Sequence, residues 1–115
     1  EPPERCDGEH QGWVLIALQN AFYELLHARS FEEGLVRTIS RGGDTDTNGA
    51  IMGALLGAAW GLEAIPERWR DALRTCKPEQ GGEGVKRPRS SVYWPCDAEQ
   101  LAARLLGDSA CDERD

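Results

Sequence analysis

No apolar run in the 115 residues approaches the ~18 that a membrane-spanning helix requires. No signal-peptide pattern opens the chain, and its first residues, Glu1-Pro2-Pro3-Glu4, lack an initiator methionine, as in a processed chain or a fragment. Positive charge is also short. The 13 Lys and Arg stand against 20 Asp and Glu, a net charge of −7, which argues against a general nucleic-acid or anionic-membrane binder. The 4 cysteines, at positions 6, 76, 96 and 111, form no Cys-x-x-Cys pair and no zinc-like spacing with histidine. Without a secretion signal they are expected as reduced thiols and the chain as cytoplasmic. Convincing strand-like alternation of apolar and polar residues is missing too, so the expected class is all-α. A chain this short makes at most one domain with a modest core.

One stretch is rich in oxygen. Arg41-Gly42-Gly43-Asp44-Thr45-Asp46-Thr47-Asn48-Gly49 opens on two glycines, which accept φ > 0 and allow a sharp turn. Two carboxylates and two hydroxyls follow within four positions, ahead of a small and apolar run that reads as a helix over residues 49–62. Such a cluster suits a hard divalent cation, Mg²⁺ or Mn²⁺. Asp and Thr are also ordinary N-cap and first-turn residues, and capping is the plainer use of them. One cap needs one side chain, however, and two carboxylates so close repel each other unless a cation holds both ionised.

The rest of the chain reads as helices built around that loop. Residues 1–9 are Pro-rich and charged and are expected as a flexible segment, with His10 on the surface. A first helix over 12–28 places Val14, Leu18, Ala21 or Phe22, and Leu25 inward; Trp13, Leu15, Ile16 and Leu26 widen the stripe, so this end is expected to be buried on several sides. Trp13 by composition alone is a core aromatic, and His27 suits the last turn through the helix dipole. Ser30-x-x-Glu33 is a capping box that starts a second helix, with Leu35, Val36 and Ile39 inward, Glu32, Glu33 and Arg37 outward, and a stop at Gly42.

The third helix carries Gly49, Gly53, Gly57 and Gly61 on one face. Each interior glycine costs about 1 kcal/mol against alanine, so a smooth face for close backbone packing is expected in return. Pro66 sets the first turn of a fourth helix, with Trp69, Ala72 or Leu73, and Cys76 inward and Glu67, Arg68, Arg70 and Asp71 outward. Residues 77–95 are irregular and carry Lys86, Arg87 and Arg89, a solvated basic cluster or a phosphate site, with Val92, Tyr93 and Trp94 expected to pin the loop back onto the body. Asp97 and Gln100 start a fifth helix that turns Leu101, Ala102 and Leu105 inward and stops at Gly107. The helical domain thus spans 10–107, and 108–115 form a flexible tail.

Gly42-Gly43-Asp44-Thr45-Asp46-Thr47, followed by residues 49–58, resembles the C-terminal metal motif of the ADP-ribosylglycohydrolase family, which includes hydrolases that remove ADP-ribose from dinitrogen reductase. The likeness extends to Gly12-Trp13-Val14, Ser30-Phe31-Glu32-Glu33, Ile65-Pro66 with Trp69, and the segment from Arg87-Pro88 to Leu106. It implies an orthogonal all-α bundle. It also implies hydrolysis of the glycosidic bond between ADP-ribose and a protein side chain or small acceptor, with two divalent metals, Mg²⁺ or Mn²⁺. By resemblance Asp44, Asp46 and Thr47 are the metal ligands of this half, and Asp44 and Asp46 the catalytic carboxylates, one of them steering the attacking water. Thr45 is then structural, and Gly12 and Trp13 shape the wall beside the adenosine part of the ligand.

Full members are much longer. Their N-terminal Thr-Asp-Asp cluster, a further acidic residue and the diphosphate loop have no match here. The expectation is therefore the C-terminal portion of a hydrolase, inactive and weakly metal-binding alone. Apolar faces of the first and third helices would then be exposed for an N-terminal half or a second copy to cover. The substrate would be an ADP-ribosylated protein or small molecule, with neither nucleic acid nor membrane as partner. A non-catalytic relative that keeps the fold for packing or ligand binding is the main alternative, and a ligand-free helical interaction module a further one.

Overall fold

Ser30 lies in extended backbone (φ −152°, ψ 160°), and its Oγ accepts from the Glu33 amide at 3.1 Å. Glu33 Oε2 reaches back to accept from the Arg29 amide at 2.7 Å. This reciprocal cap starts helix α2, Phe31–Ser40, as its sequence predicts. The structure is a computed structural model that describes residues 3, 7–9 and 12–107. Before α2 comes α1, Val14–His27; after it come α3, Thr45–Trp60, α4, Glu67–Arg74, and α5, Ala98–Leu105. Short 3-10 turns occupy Leu62–Ala64, Ser91–Tyr93 and Pro95–Asp97. The described residues contain no strand, so the protein is all-α. None of their helices is long and apolar enough to cross a membrane.

Two units divide the chain between Pro66 and Glu67. In the first, α3 packs against both α1 and α2. Its apolar core is Ala17 and Ala21 of α1, Phe31 of α2, and Met52 and Leu56 of α3. Around it lie four buried polar residues, Asn20, Glu24, Thr38 and Asn48.

The buried faces differ from the expected ones. On α1 the inward residues are Ala17, Asn20, Ala21 and Glu24, while Val14, Leu18, Phe22 and Leu26 are exposed. The small side chains let α3 approach, and the polar pair is closed from outside the helix, so the larger apolar residues end on the far side. Trp13 is likewise exposed and is no core aromatic. On α2 the buried set is Phe31, Gly34 and Thr38, with Val36 and Ile39 exposed.

On α3 the residues Asn48, Met52 and Leu56 recur every four positions toward the core. The glycine row faces side chains rather than backbone. A Cβ on Gly53 or Gly57 would meet the Phe31 ring at 3.9 and 4.0 Å, ordinary contact distances. The tight approach is at Gly34, where a Cβ would stand 2.6 Å from Leu56 Cδ1 and 3.2 Å from Ala28 Cβ. Gly61 ends the helix at φ 81°.

The second unit holds α4, the irregular loop and α5. Arg74 bridges Glu67 at 2.8 Å, Asp71 at 3.1 Å and Glu99 at 2.9 Å, tying α4 to α5. Arg70, expected outward, is buried and paired with Glu67. Of the three residues expected to pin the loop, Val92 and Tyr93 are exposed, and the Trp94 Nε1 donates to the Arg89 carbonyl at 2.9 Å, a bond within the loop itself. Leu101, Ala102 and Leu105 of α5 are exposed as well, against expectation, and Asp97 makes no side-chain cap. Lys86, Arg87 and Arg89 are exposed, as solvated residues would be. Cys76 and Cys96 are free thiols. The expectations for His10, Cys6, Cys111, most of the first nine residues and the tail 108–115 fall outside the described residues.

Candidate functional site

The loop joining α2 to α3 is built on two successive left-handed glycines, Gly42 at φ 78° and Gly43 at φ 72°. A side chain at either would be strained, so the glycines are required by the turn itself. The Gly42 amide donates to the Ile39 carbonyl at 3.1 Å, closing α2. Thr45 then donates to Gly43 at 2.9 Å, and Asn48 to the Asp44 carbonyl at 3.0 Å, which opens α3. The helix therefore begins at Thr45 and not near Gly49: Asp46 and Thr47 belong to its first turn, where oxygen-bearing side chains are favoured.

Asp44 occupies the N-cap position, yet its side chain makes no capping bond. A hydrogen bond with Asp44, and next the Thr47 amide donating to Asp46 Oδ1 at 3.0 Å, hold the Asp46 carboxyl below the usual carboxylate range. Asp44 and Asp46 share one opening. Together with Gly12 and Gly43 they line an open cleft of about 440 Å³. Of the residues singled out in the sequence, the structure brings Gly12, Asp44 and Asp46 to one cleft. Thr47 follows directly on α3, and Trp13 stands at the start of α1 outside the cleft lining.

Asp44, Asp46 and the Thr47 hydroxyl are hard oxygen donors, the kind Mg²⁺ and Mn²⁺ prefer. Among the described residues no three His, Cys, Asp or Glu gather into a metal-binding group. A cation preferring about six oxygens would find only part of its shell here. The donors fit the ion in kind and fall short in number.

Sequence reasoning missed what lies behind the loop. Glu24 is 0% exposed; its Oε1 lies 2.6 Å from Arg41 Nη2 and its Oε2 3.6 Å from Arg37 Nη1. The alignment is that of charge pairs rather than well-directed hydrogen bonds. Arg41 Nη1 also donates to Asn20 Oδ1, and Asn20 Nδ2 to Thr38 Oγ1 at 2.9 Å. The Arg41 guanidinium stands 5.6 Å from the Tyr23 ring centroid, and Tyr23 stacks on His27 at 4.2 Å. The one trace in the sequence is Asn20 and Glu24 four apart beside Ala17 and Ala21, a polar pair on a small-residue face.

A helical chain with a Gly-Gly turn that presents paired aspartates at a helix start is the kind of protein the ADP-ribosylglycohydrolase family comprises. The sequence model described as ADP-ribosylglycohydrolase matches residues 1–113, and the chain belongs to that family. It is similar to the ADP-ribosyl-(dinitrogen reductase) glycohydrolase of Rhodospirillum rubrum, 32% identical over 70 residues, covering 61% of this chain and 24% of the relative. To ADP-ribosylhydrolase ARH3 of Bos taurus it is 46% identical over 43 residues, 37% of this chain and 12% of that one. An ADP-ribosylarginine hydrolase of Serratia proteamaculans is 27% identical over 70 residues, with 61% and 19% covered. The matched stretch thus spans about a quarter or less of these relatives. No solved structure matches.

Proposed function

We propose that this chain is the C-terminal portion of a metal-dependent ADP-ribosyl hydrolase, contributing Asp44, Asp46 and Thr47 to a Mg²⁺ or Mn²⁺ site. The observation that carries the reading is that the Asp44 side chain makes no cap and instead lines one cleft with Asp46 and Gly12. Family membership supplies the reaction: cleavage of the glycosidic bond between ADP-ribose and an acceptor on a protein or small molecule. The divalent cation, when bound, supplies positive charge for orienting the ribose hydroxyls and for activating water. Asp44 and Asp46 hold the charge that attracts it, and one of the two orients the water that attacks the anomeric carbon. Gly12 leaves open space at the cleft, since a Cβ there would meet nothing within 4 Å, and it forms the wall for the adenosine part of the ligand, with Trp13 next to it in the chain but outside the cleft lining.

On this reading the 115 residues alone bind the cation weakly and do not hydrolyse, because two carboxylates leave the shell incomplete. An N-terminal counterpart, or a second copy, completes the site and covers the exposed residues of α1 and α3. The unpaired thiols of Cys76 and Cys96 accord with a cytoplasmic setting. Calorimetric titration of the chain with Mn²⁺ and with ADP-ribose tests the reading, with and without the N-terminal portion of a relative added in trans. Weak Mn²⁺ heat that vanishes in Asp44→Asn and Asp46→Asn, and ADP-ribose binding only after complementation, are expected. Absence of heat in both arrangements would overturn it.

A further inference from the structure

The two glycines that deliver Asp44 have no side chains with which to fix their own conformation, and glycine is the residue with most freedom to lose on folding. Something adjacent must select the turn. Downstream, backbone bonds from Thr45 and Asn48 do part of this. Upstream stands Arg41, one position before the glycines and only 15% exposed at its side chain.

We propose that Arg41 is the positioning residue of the Asp44–Asp46 pair. Its guanidinium, anchored on α1, holds the Gly42–Gly43 turn in the conformation that brings the two carboxylates together. The inference rests on the cation-site reading above for its consequence, though not for its geometry.

Three residues of α1 grip Arg41, and they stand at the i, i+3 and i+4 positions that share one helix face. Asn20 accepts from Nη1, Glu24 pairs with Nη2 at 2.6 Å, and Tyr23 lies under the cation. The planar fork matters. Two separate nitrogens address Asn20 and Glu24 at once, which a single lysine ammonium does not reproduce. Glu24 is fully buried, so losing Arg41 would leave its carboxylate with Arg37 alone, 3.6 Å away and 44% exposed. Asn20 passes the restraint on to Thr38, whose carbonyl accepts from the Arg41 amide at 3.2 Å. The turn is thereby braced through both the side chain and the backbone of one residue.

The test uses the whole chain in three variants: Arg41→Lys; Glu24→Gln, which keeps the shape of the buried side chain; and Arg37→Ala, which removes the other cation on Glu24 without touching the turn. Amide hydrogen exchange at Gly42 and Thr45 reads the turn without any ligand, and Mn²⁺ affinity by electron paramagnetic resonance reads the carboxylate pair. Arg41→Lys and Glu24→Gln should each weaken Mn²⁺ binding by about 10-fold, as loss of a ligand-orienting partner does. They should also speed exchange at Gly42 and Thr45 while the middle of α3 keeps its protection. Arg37→Ala should leave both readouts unchanged. Unchanged exchange at Gly42 and Thr45 in both Arg41→Lys and Glu24→Gln would overturn the proposal, as would an equal effect of Arg37→Ala, which would mark a role in general stability only. Should the unaltered chain take up no Mn²⁺ either alone or with the N-terminal portion added, the cation-site reading falls, and the exchange measurement still decides whether Arg41 holds the turn.

Discussion

Asp44 and Asp46 are two positions apart, and the fold gives each a different neighbourhood. Asp46 receives the Asp44 hydrogen bond and the Thr47 amide, both of which favour its ionised form. Its folded-state pKa is therefore below the unfolded one. The stabilisation it contributes is present above the unfolded pKa and is lost as pH falls through the folded value. The side chain is exposed, so the effect on stability is small and the site is the place to look for it. Carbon-detected NMR titration should find Asp46 ionising below the usual aspartate range. In Asp44→Ala the largest cause is gone, and the midpoint should move up toward the ordinary value. An unshifted Asp46 in the unaltered chain would mean that the two carboxylates do not meet in solution.

Among the helices, the glycines separate propensity from packing. Gly53 and Gly57 meet Phe31 only at ordinary contact distance, so alanine at either gains helix propensity with nothing to displace. Each substitution should stabilise by about 0.5–1 kcal/mol. Gly34→Ala gains the same propensity but drives a methyl to 2.6 Å from Leu56, which is itself 0% exposed. Overpacking of that kind costs about 1–3 kcal/mol, so the net effect should be destabilising. Thermal or denaturant melts of the three variants check the contrast in sign. The same elements show what the sequence discloses. The Ser30–Glu33 cap, the Gly42–Gly43 turn and the number of helices follow from local chemistry, and local chemistry is legible. The inward faces do not. Val14, Leu18, Phe22 and Leu26 show a stronger apolar period than Ala17, Asn20, Ala21 and Glu24, which are buried because Arg41 closes the polar pair from another helix end. No window of α1 contains that arginine. In the site, the aspartate pair was visible in its spacing, Gly12 came only through resemblance, and the Arg41 tether needed the tertiary structure.

At the scale of the whole molecule, the exposed apolar residues of α1 are the largest departure from what a self-contained core would leave outside. Leu15, Leu18, Phe22 and Leu26 recur at 3–4 residue spacing on the side of α1 opposite its buried face. Covering each from about half exposure, or three-quarters for Leu26, is worth roughly 1 kcal/mol, so a symmetric dimer burying two such stripes gains roughly 8 kcal/mol. Association costs about 4–15 kcal/mol. Self-association through this face alone should therefore be weak and concentration-dependent. A partner that also covered Ile51 and Leu62, likewise exposed near or within α3, would bind more tightly. The double variant Leu18→Glu with Phe22→Glu separates interface from core. If the stripe is an interface, sedimentation should show less self-association and an apolar dye should bind less. Each surface change should then shift stability by no more than about 0.5 kcal/mol. If the proposed N-terminal counterpart binds the unaltered chain, the same variant should fail to join it. Loss of the helical circular dichroism signal in the double variant would place these residues in a core instead, and the case for a covering partner on α1 would go with it.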